Sequence, residues 1–254
     1  PAGGRHAPLC PPSGPVPEIG WVYAGPGRGG SNKPVGIAGP PPEGRQRPAH
    51  TVAGWARHRF GDLPTVTDAE RPGIVHRLDR ETSGCILVAK KRSALNSLHQ
   101  QLRDKTVDKR YLALVAGQWP SNRFKVKAPL HKNVLKSGER MVFVNPNGKP
   151  SETRFRILEQ YDHATLVEAS PITGRTHQIR VHCQHAGHCI GGDPKYADTE
   201  FEQWIQPFGL DRLFLHARSI AFIHPHTQEQ IKYKAPLEPK LEALLTQLAD
   251  KDKG

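Results

Sequence analysis

The sequence predicts an α+β domain with a mixed, largely antiparallel central sheet flanked by helices and loops. Three observations lead there. Strand-like alternation and helix-like periodicity both occur along the chain, and they interleave without a regular βαβ beat. The 254 residues are ample for a buried core, as one large domain or two small ones. Proline and glycine are gathered at the start: residues 1–48 hold 12 of the 24 prolines and 11 of the 24 glycines, and an ordinary globular pattern begins only near Trp55.

Each element has its own sequence signal. Residues 1–31 are too rich in backbone breakers to bury the apolar surface that would offset their ordering entropy. They are expected to be disordered or non-native, with residues 32–254 forming the folded domain. The apolar run C-I-L-V-A at 85–89 reads as a strand, and at five residues it is far too short to cross a bilayer. Residues 94–105 read as an amphipathic helix, with Ser93 as N-cap and Leu95, Leu98 and Leu102 on one face. Residues 110–116, 153–158 and 164–169 read as strands. Gly174 precedes a helix expected to run through Gln178 and His182. Pro239 opens a last helix whose stripe is Leu241, Leu244, Leu245 and Leu248. No internal repeat is present.

Composition narrows the function. With 36 Lys+Arg against 24 Asp+Glu the formal charge is +12, which points to a polyanionic partner, nucleic acid before an acidic membrane surface. Half of that excess lies in residues 71–110, where ten basic residues face four acids. No charged segment followed by an apolar stretch opens the sequence, and four cysteines do not make a disulfide scaffold. A cytoplasmic, membrane-independent protein is expected.

Within the basic region stands H-R-L-D-R-E-T-S-G at 76–84, where Asp79 lies between Arg77 and Arg80 ahead of a turn-forming E-T-S-G. Flanking guanidinium groups favour an ionised carboxylate that can serve as nucleophile or base. On spacing alone a surface aspartate in a salt-bridge cluster is the simpler reading. The segment itself is more specific than its chemistry. It closely resembles the catalytic motif of the RluA-type pseudouridine synthases, and further stretches agree in order: K-R-Y-L-A-L-V at 109–115, T-G-R-T-H-Q-I-R-V-H at 173–182 and R-L-F-L-H-A at 212–217. The runs K-K-R-S-A-L from Lys90, K-S-G-E-R from Lys136 and G-K-P-S-E-T-R-F from Gly148 resemble the branch acting on large-subunit ribosomal RNA. The likeness covers about Trp55 to Leu248.

The resemblance implies the pseudouridine synthase catalytic fold over 32–254 and conversion of specific uridines in 23S ribosomal RNA to pseudouridine. It implies Asp79 as the catalytic aspartate, Tyr111 as the residue that stacks on the target base and helps remove its ring proton, and Arg180 as the partner of the aspartate. Arg77 matches an arginine implicated in base flipping, Arg175 is assigned to RNA backbone and Leu215 to an apolar wall of the uracil pocket. His76, Arg80 and His177 join this substrate-binding set from the same motifs. The reaction breaks a ribose-to-nitrogen bond, turns the uracil and rejoins it through carbon, so no cofactor and no metal are expected. A uridine must leave its stack to react, which calls for an inserted side chain and a stacking aromatic. Attack on the base, attack on the sugar and a glycal-type elimination are all compatible with the sequence. A monomer is expected.

Two departures accompany the likeness. Family members of this branch carry an amino-terminal S4 RNA-binding domain, for which no room is expected here. They also lead into N-K-P-x-G through a hydrophobic strand, whereas G-G-S precedes N-K-P-V-G at 32–36, so that strand is expected to be absent. Three rivals stay in view: the same reaction on transfer RNA or on both RNAs, a noncatalytic RNA-binding or ribosome-assembly protein, and a zinc hydrolase built on H-C-Q-H-A-G-H-C at 182–189. That last cluster is packed too tightly for the usual paired zinc-ligand spacing.

Overall fold

The computed structural model describes residues 19–24, 62–65, 73–134 and 140–251. The N-K-P-V-G motif, most of residues 1–31 and nearly all of K-S-G-E-R lie outside them. In chain order the described elements are β1 (Ile19–Ala24), β2 (Ser83–Ala89), α1 (Arg92–Arg103), β3 (Asp108–Ala116), β4 (Lys125–Lys127), β5 (Leu130–Val134), β6 (Arg140–Val144), β7 (Glu152–Gln160) and β8 (Ala164–Pro171). They continue with α2 (Gln178–His185), α3 (Thr199–Ile205), a single 3-10 turn at Gln206–Phe208, β9 (Leu215–Ile223), β10 (Gln230–Lys234) and α4 (Pro239–Lys251). The described residues form the expected α+β arrangement, with antiparallel pairing at every strand pair whose register is known.

The chain divides into two compact units. The first takes the described residues up to Asp108 together with Ala217–Leu237. Its strands run in the order β1-β2-β9, with β10 on β9. All seven residues of β2 are buried, which explains why this strand reads as continuous apolar sequence rather than alternation. Its core joins Val75, Cys85, Leu87, Ile220 and Phe222 to the Ala94, Leu95 and Leu98 face of α1. The N-cap of that helix lies two residues before the expected one: Lys91 holds the extended cap conformation, without a side-chain bond, and Ser93 is already helical. Burial pushes the Cys85 thiol up to about 12.

Strand β1 departs from the expectation that nothing regular precedes N-K-P-V-G. I-G-W-V-Y-A is free of proline, and its Ile19, Trp21, Val22 and Tyr23 are the β-branched and aromatic residues that suit a pleated strand. It pairs antiparallel with β2 from Ile19 opposite Ala89 to Ala24 opposite Gly84.

The second unit takes Lys109–His216 and the described residues from Glu238 onward. Its sheet runs β3-β8-β7-β4, and β5 and β6 form a separate two-stranded ribbon. The β7–β8 pairing shifts register between Ile157 and Glu159. One face of the ribbon packs on the unit's interior, where Leu130 and Val142 join Val181 of α2 and Tyr196. Cys183 on α2 is fully buried, and burial pushes its thiol well above the ordinary range.

Candidate active site

In the first unit, H-R-L-D-R-E-T-S-G forms the loop entering β2. Two bonds dock it onto that strand. The Val75 N–H donates to the Leu87 carbonyl at 3.2 Å, and the Leu87 N–H donates to His76 Nε2 at 3.1 Å. His76, expected among the substrate contacts, therefore carries a bond that pins the motif loop. Asp79 is half-buried, between the exposed Arg77 and Arg80. Its carbonyl accepts the Thr82 N–H at 3.0 Å, closing a turn that leads into the buried Thr82 and Ser83. Gly84 ends the motif at φ +119°, where a Cβ would lie 2.3 Å from the Ala217 carbonyl oxygen. Only glycine combines that dihedral with so close a backbone approach.

In the second unit, strand register gathers the remaining residues. Tyr111 on β3 stands opposite Ala169 of β8, which stands opposite Phe155 of β7. Alternation places Lys109 and Thr153 on that same face. Thr153 Oγ1 meets two side chains of α2, His182 Nδ1 at 2.8 Å and Gln178 Nε2 at 3.0 Å, so α2 covers the face that carries Tyr111.

Gln178 fixes the T-G-R turn before the helix, and every hydrogen-bonding position of its amide is used. Its Oε1 accepts from Thr173 Oγ1 at 2.6 Å and from the Arg175 N–H at 3.1 Å, while its Nε2 donates to the Glu152 carbonyl at 2.9 Å and to Thr153. Arg175 is left exposed, its Nε donating to the Pro150 carbonyl at 3.3 Å. His177 adopts a left-handed φ of 51° at the helix start. Its Nδ1 lies 2.8 Å from the Tyr196 hydroxyl, which accepts the Val142 N–H at 3.0 Å and so has its proton to give to His177.

Arg180 projects from α2 into a fully buried ion pair with Asp193. Its Nε donates to Asp193 Oδ2 at 2.8 Å and its Nη2 to Oδ1 at 2.6 Å, and neither side chain exposes any surface. The Tyr196 ring lies under the guanidinium, 5.0 Å from Cζ to the centroid. Asp193 Oδ1 also accepts the N–H groups of Lys195 at 2.8 Å and Tyr196 at 3.1 Å, closing the D-P-K-Y turn. Asp193 and Tyr196 escaped the sequence reading. The signals were a D-P turn signature and an arginine set between the apolar Ile179 and Val181, where burial calls for a counter-charge.

Residues 31–185 match the RNA pseudouridylate synthase family. Over 223 residues the chain is 55% identical to the ribosomal large subunit pseudouridine synthase C of Pasteurella multocida (strain Pm70), covering 86% of this chain and 64% of that protein. The chain belongs to the RNA pseudouridylate synthase family. A second relative of the same name, from Escherichia coli (strain K12), is 58% identical over 177 residues, 69% of this chain and 56% of its own length. The chain thus spans under two thirds of these curated relatives. Among solved structures, Human RNA Pseudouridylate Synthase Domain Containing 1 matches with a TM-score of 0.62 at 27% identity, covering 82% of this chain and 87% of that one. Human RNA Pseudouridylate Synthase Domain Containing 4 shares the fold, with a TM-score of 0.66 at 22% identity over 91% of this chain.

As a pseudouridylate synthase family member, the chain carries Leu215 at the start of β9, almost fully buried, where its carbonyl accepts from Arg212 Nη2 at 3.4 Å. The H-C-Q-H-A-G-H-C stretch divides between unrelated tasks. His182 Nε2 bonds the Ala128 carbonyl at 3.0 Å, and His188 Nδ1 bonds the Ala116 carbonyl at 2.8 Å. Among the described residues no three His, Cys, Asp or Glu side chains are grouped to hold a metal ion.

Proposed function

We propose that this chain isomerises particular uridines of large-subunit ribosomal RNA to pseudouridine, with Asp79 as its catalytic carboxylate. The observation that carries the reading is the complete motif loop, with Asp79 half-buried in it, in a chain 55% identical to a named large-subunit synthase. The residue roles follow the motif match. Tyr111 stacks on the extruded uracil and takes part in removing its C5 proton, Arg180 supports the aspartate, and Leu215 bounds the base. Arg77, Arg80 and Arg175 meet RNA, while His76 and His177 serve from within the loops they stabilise. The reaction is balanced without a co-reactant: the C1′–N1 bond breaks, C1′–C5 forms, C5 loses a proton and N1 gains one. The reading also places the protein in the cytoplasm as a monomer without a cofactor.

Asp79→Asn tests it. The substitution keeps the shape of the side chain and removes its nucleophilic and basic capacity, so turnover on unmodified large-subunit ribosomal RNA falls by at least about a hundredfold. RNA affinity should stay close to that of the parent. Retained isomerisation in a tritium-release assay overturns the assignment of Asp79. Turnover on transfer RNA in a parallel arm, with none on ribosomal RNA, overturns the substrate.

A further inference from the structure

Lys109 is a basic group that the catalytic reading leaves unused. It lies two residues before Tyr111 on β3 and therefore on the same face of the sheet. Its side chain is half-buried, and its ammonium reaches the T-G-R turn: a side chain at Gly174 would begin 3.8 Å from Nζ. That turn is a built surface, held by the saturated amide of Gln178. Burial pushes the Lys109 pKa down, and among the described residues no carboxylate acts against that burial. Two acids of β7 and β8 serve other cations. Glu152 meets Lys127 and Arg154, each at 3.4 Å. Glu168 meets Arg110 at 2.8 Å and Arg156 at 3.2 Å. A desolvated ammonium without a protein anion is costly, and an anion arriving from outside offsets the cost.

We infer that Lys109 and the T-G-R turn beside it form an anion subsite for a backbone phosphodiester of the RNA, next to the nucleotide that Tyr111 receives. Gly174 leaves the turn without a side chain at the point where the phosphate would meet Nζ, and Arg175 follows directly in sequence as a second, exposed cation. The inference rests on the reading of the chain as an RNA-modifying enzyme. It assigns Lys109 a binding role, with no part in the bond changes.

The test compares the full chain with Lys109→Met and Lys109→Arg on unmodified large-subunit ribosomal RNA. Affinity is followed against salt and pseudouridine formation by tritium release. Loss of one phosphate contact lowers the slope of log affinity against log salt by about 0.7 to 0.9. Lys109→Met should show that change, with the loss in turnover falling on KM rather than kcat, and Lys109→Arg should restore both. An unchanged salt slope and KM in a folded Lys109→Met protein overturn the inference. A parent protein that binds RNA but makes no pseudouridine on any RNA sinks the enzymatic reading instead, and the salt slope still decides Lys109. Should Lys109→Met fail to fold, acetylation of the unaltered protein with acetic anhydride decides. Saturating RNA should protect Lys109 severalfold, and equal modification with and without RNA rules the subsite out.

Discussion

Arg180 shows how a polar side chain is kept inside a small unit. Asp193 grips one edge of the guanidinium with two short bonds, and the Tyr196 ring supports its face. Breaking a buried pair by removing one member leaves the other charge without water or counter-ion, which costs on the order of 3–5 kcal/mol. Asp193→Ala should therefore lower unfolding stability by about that amount, read from urea midpoints. Replacing both partners with apolar residues of similar volume removes the uncompensated charge, and such swaps are often neutral or stabilising. The double variant Arg180→Met with Asp193→Leu should thus regain stability while staying inactive, if Arg180 has the role proposed for it. A double variant that recovers both stability and turnover would reduce Arg180 to a structural residue.

At the scale of elements, α2 is tied to β7 and to the approach to β5 through His182. The Nε2–H donates to the Ala128 carbonyl, and Nδ1 lies against Thr153 Oγ1, which already accepts from Gln178. This arrangement suits the neutral ring. Burial, aided by His185 and opposed by the Ala128 bond, pushes the His182 pKa below its ordinary 6.5. The unfolded chain therefore binds the proton first as pH falls, so this contribution is complete above about pH 6.5 and is lost progressively below it. Melting temperature should drop between pH 7.5 and 5.5, and His182→Gln should melt lower at pH 7.5 with a shallower acid decline. An equally steep decline in the variant would place the acid sensitivity elsewhere. The same elements show what local sequence can reveal. The stripe of α4 and the runs behind β3, β7 and β8 were legible because each buries one face or lies wholly inside. The start of α1 was not, because the backbone at Lys91 enters the helix without a side-chain cap. The β5–β6 ribbon was missed because its apolar face is completed by Val181 and Tyr196, tens of residues away. In the candidate site, Asp79 is proposed from the family resemblance of a local motif, whereas Asp193 acquires its meaning only from Arg180 on another element.

At the scale of the whole molecule, the chain passes between its two units at Asp108, again within β9 and once more at Leu237. Each unit is assembled from distant pieces of sequence, so neither is expected to fold from an uninterrupted peptide. Among the described residues each also holds one deeply buried thiol, Cys85 on β2 and Cys183 on α2, whereas Cys189 is partly exposed. Only a thiolate is alkylated, and burial keeps both interior sulfurs protonated as well as covered. Iodoacetamide should therefore label Cys189 long before either, and prompt labelling of Cys85 would contradict the packing around β2. Followed residue by residue through a denaturant series, the two shielded sulfurs act as native clocks, one per unit, recording with no engineered probe whether the halves of the molecule breathe together or in turn.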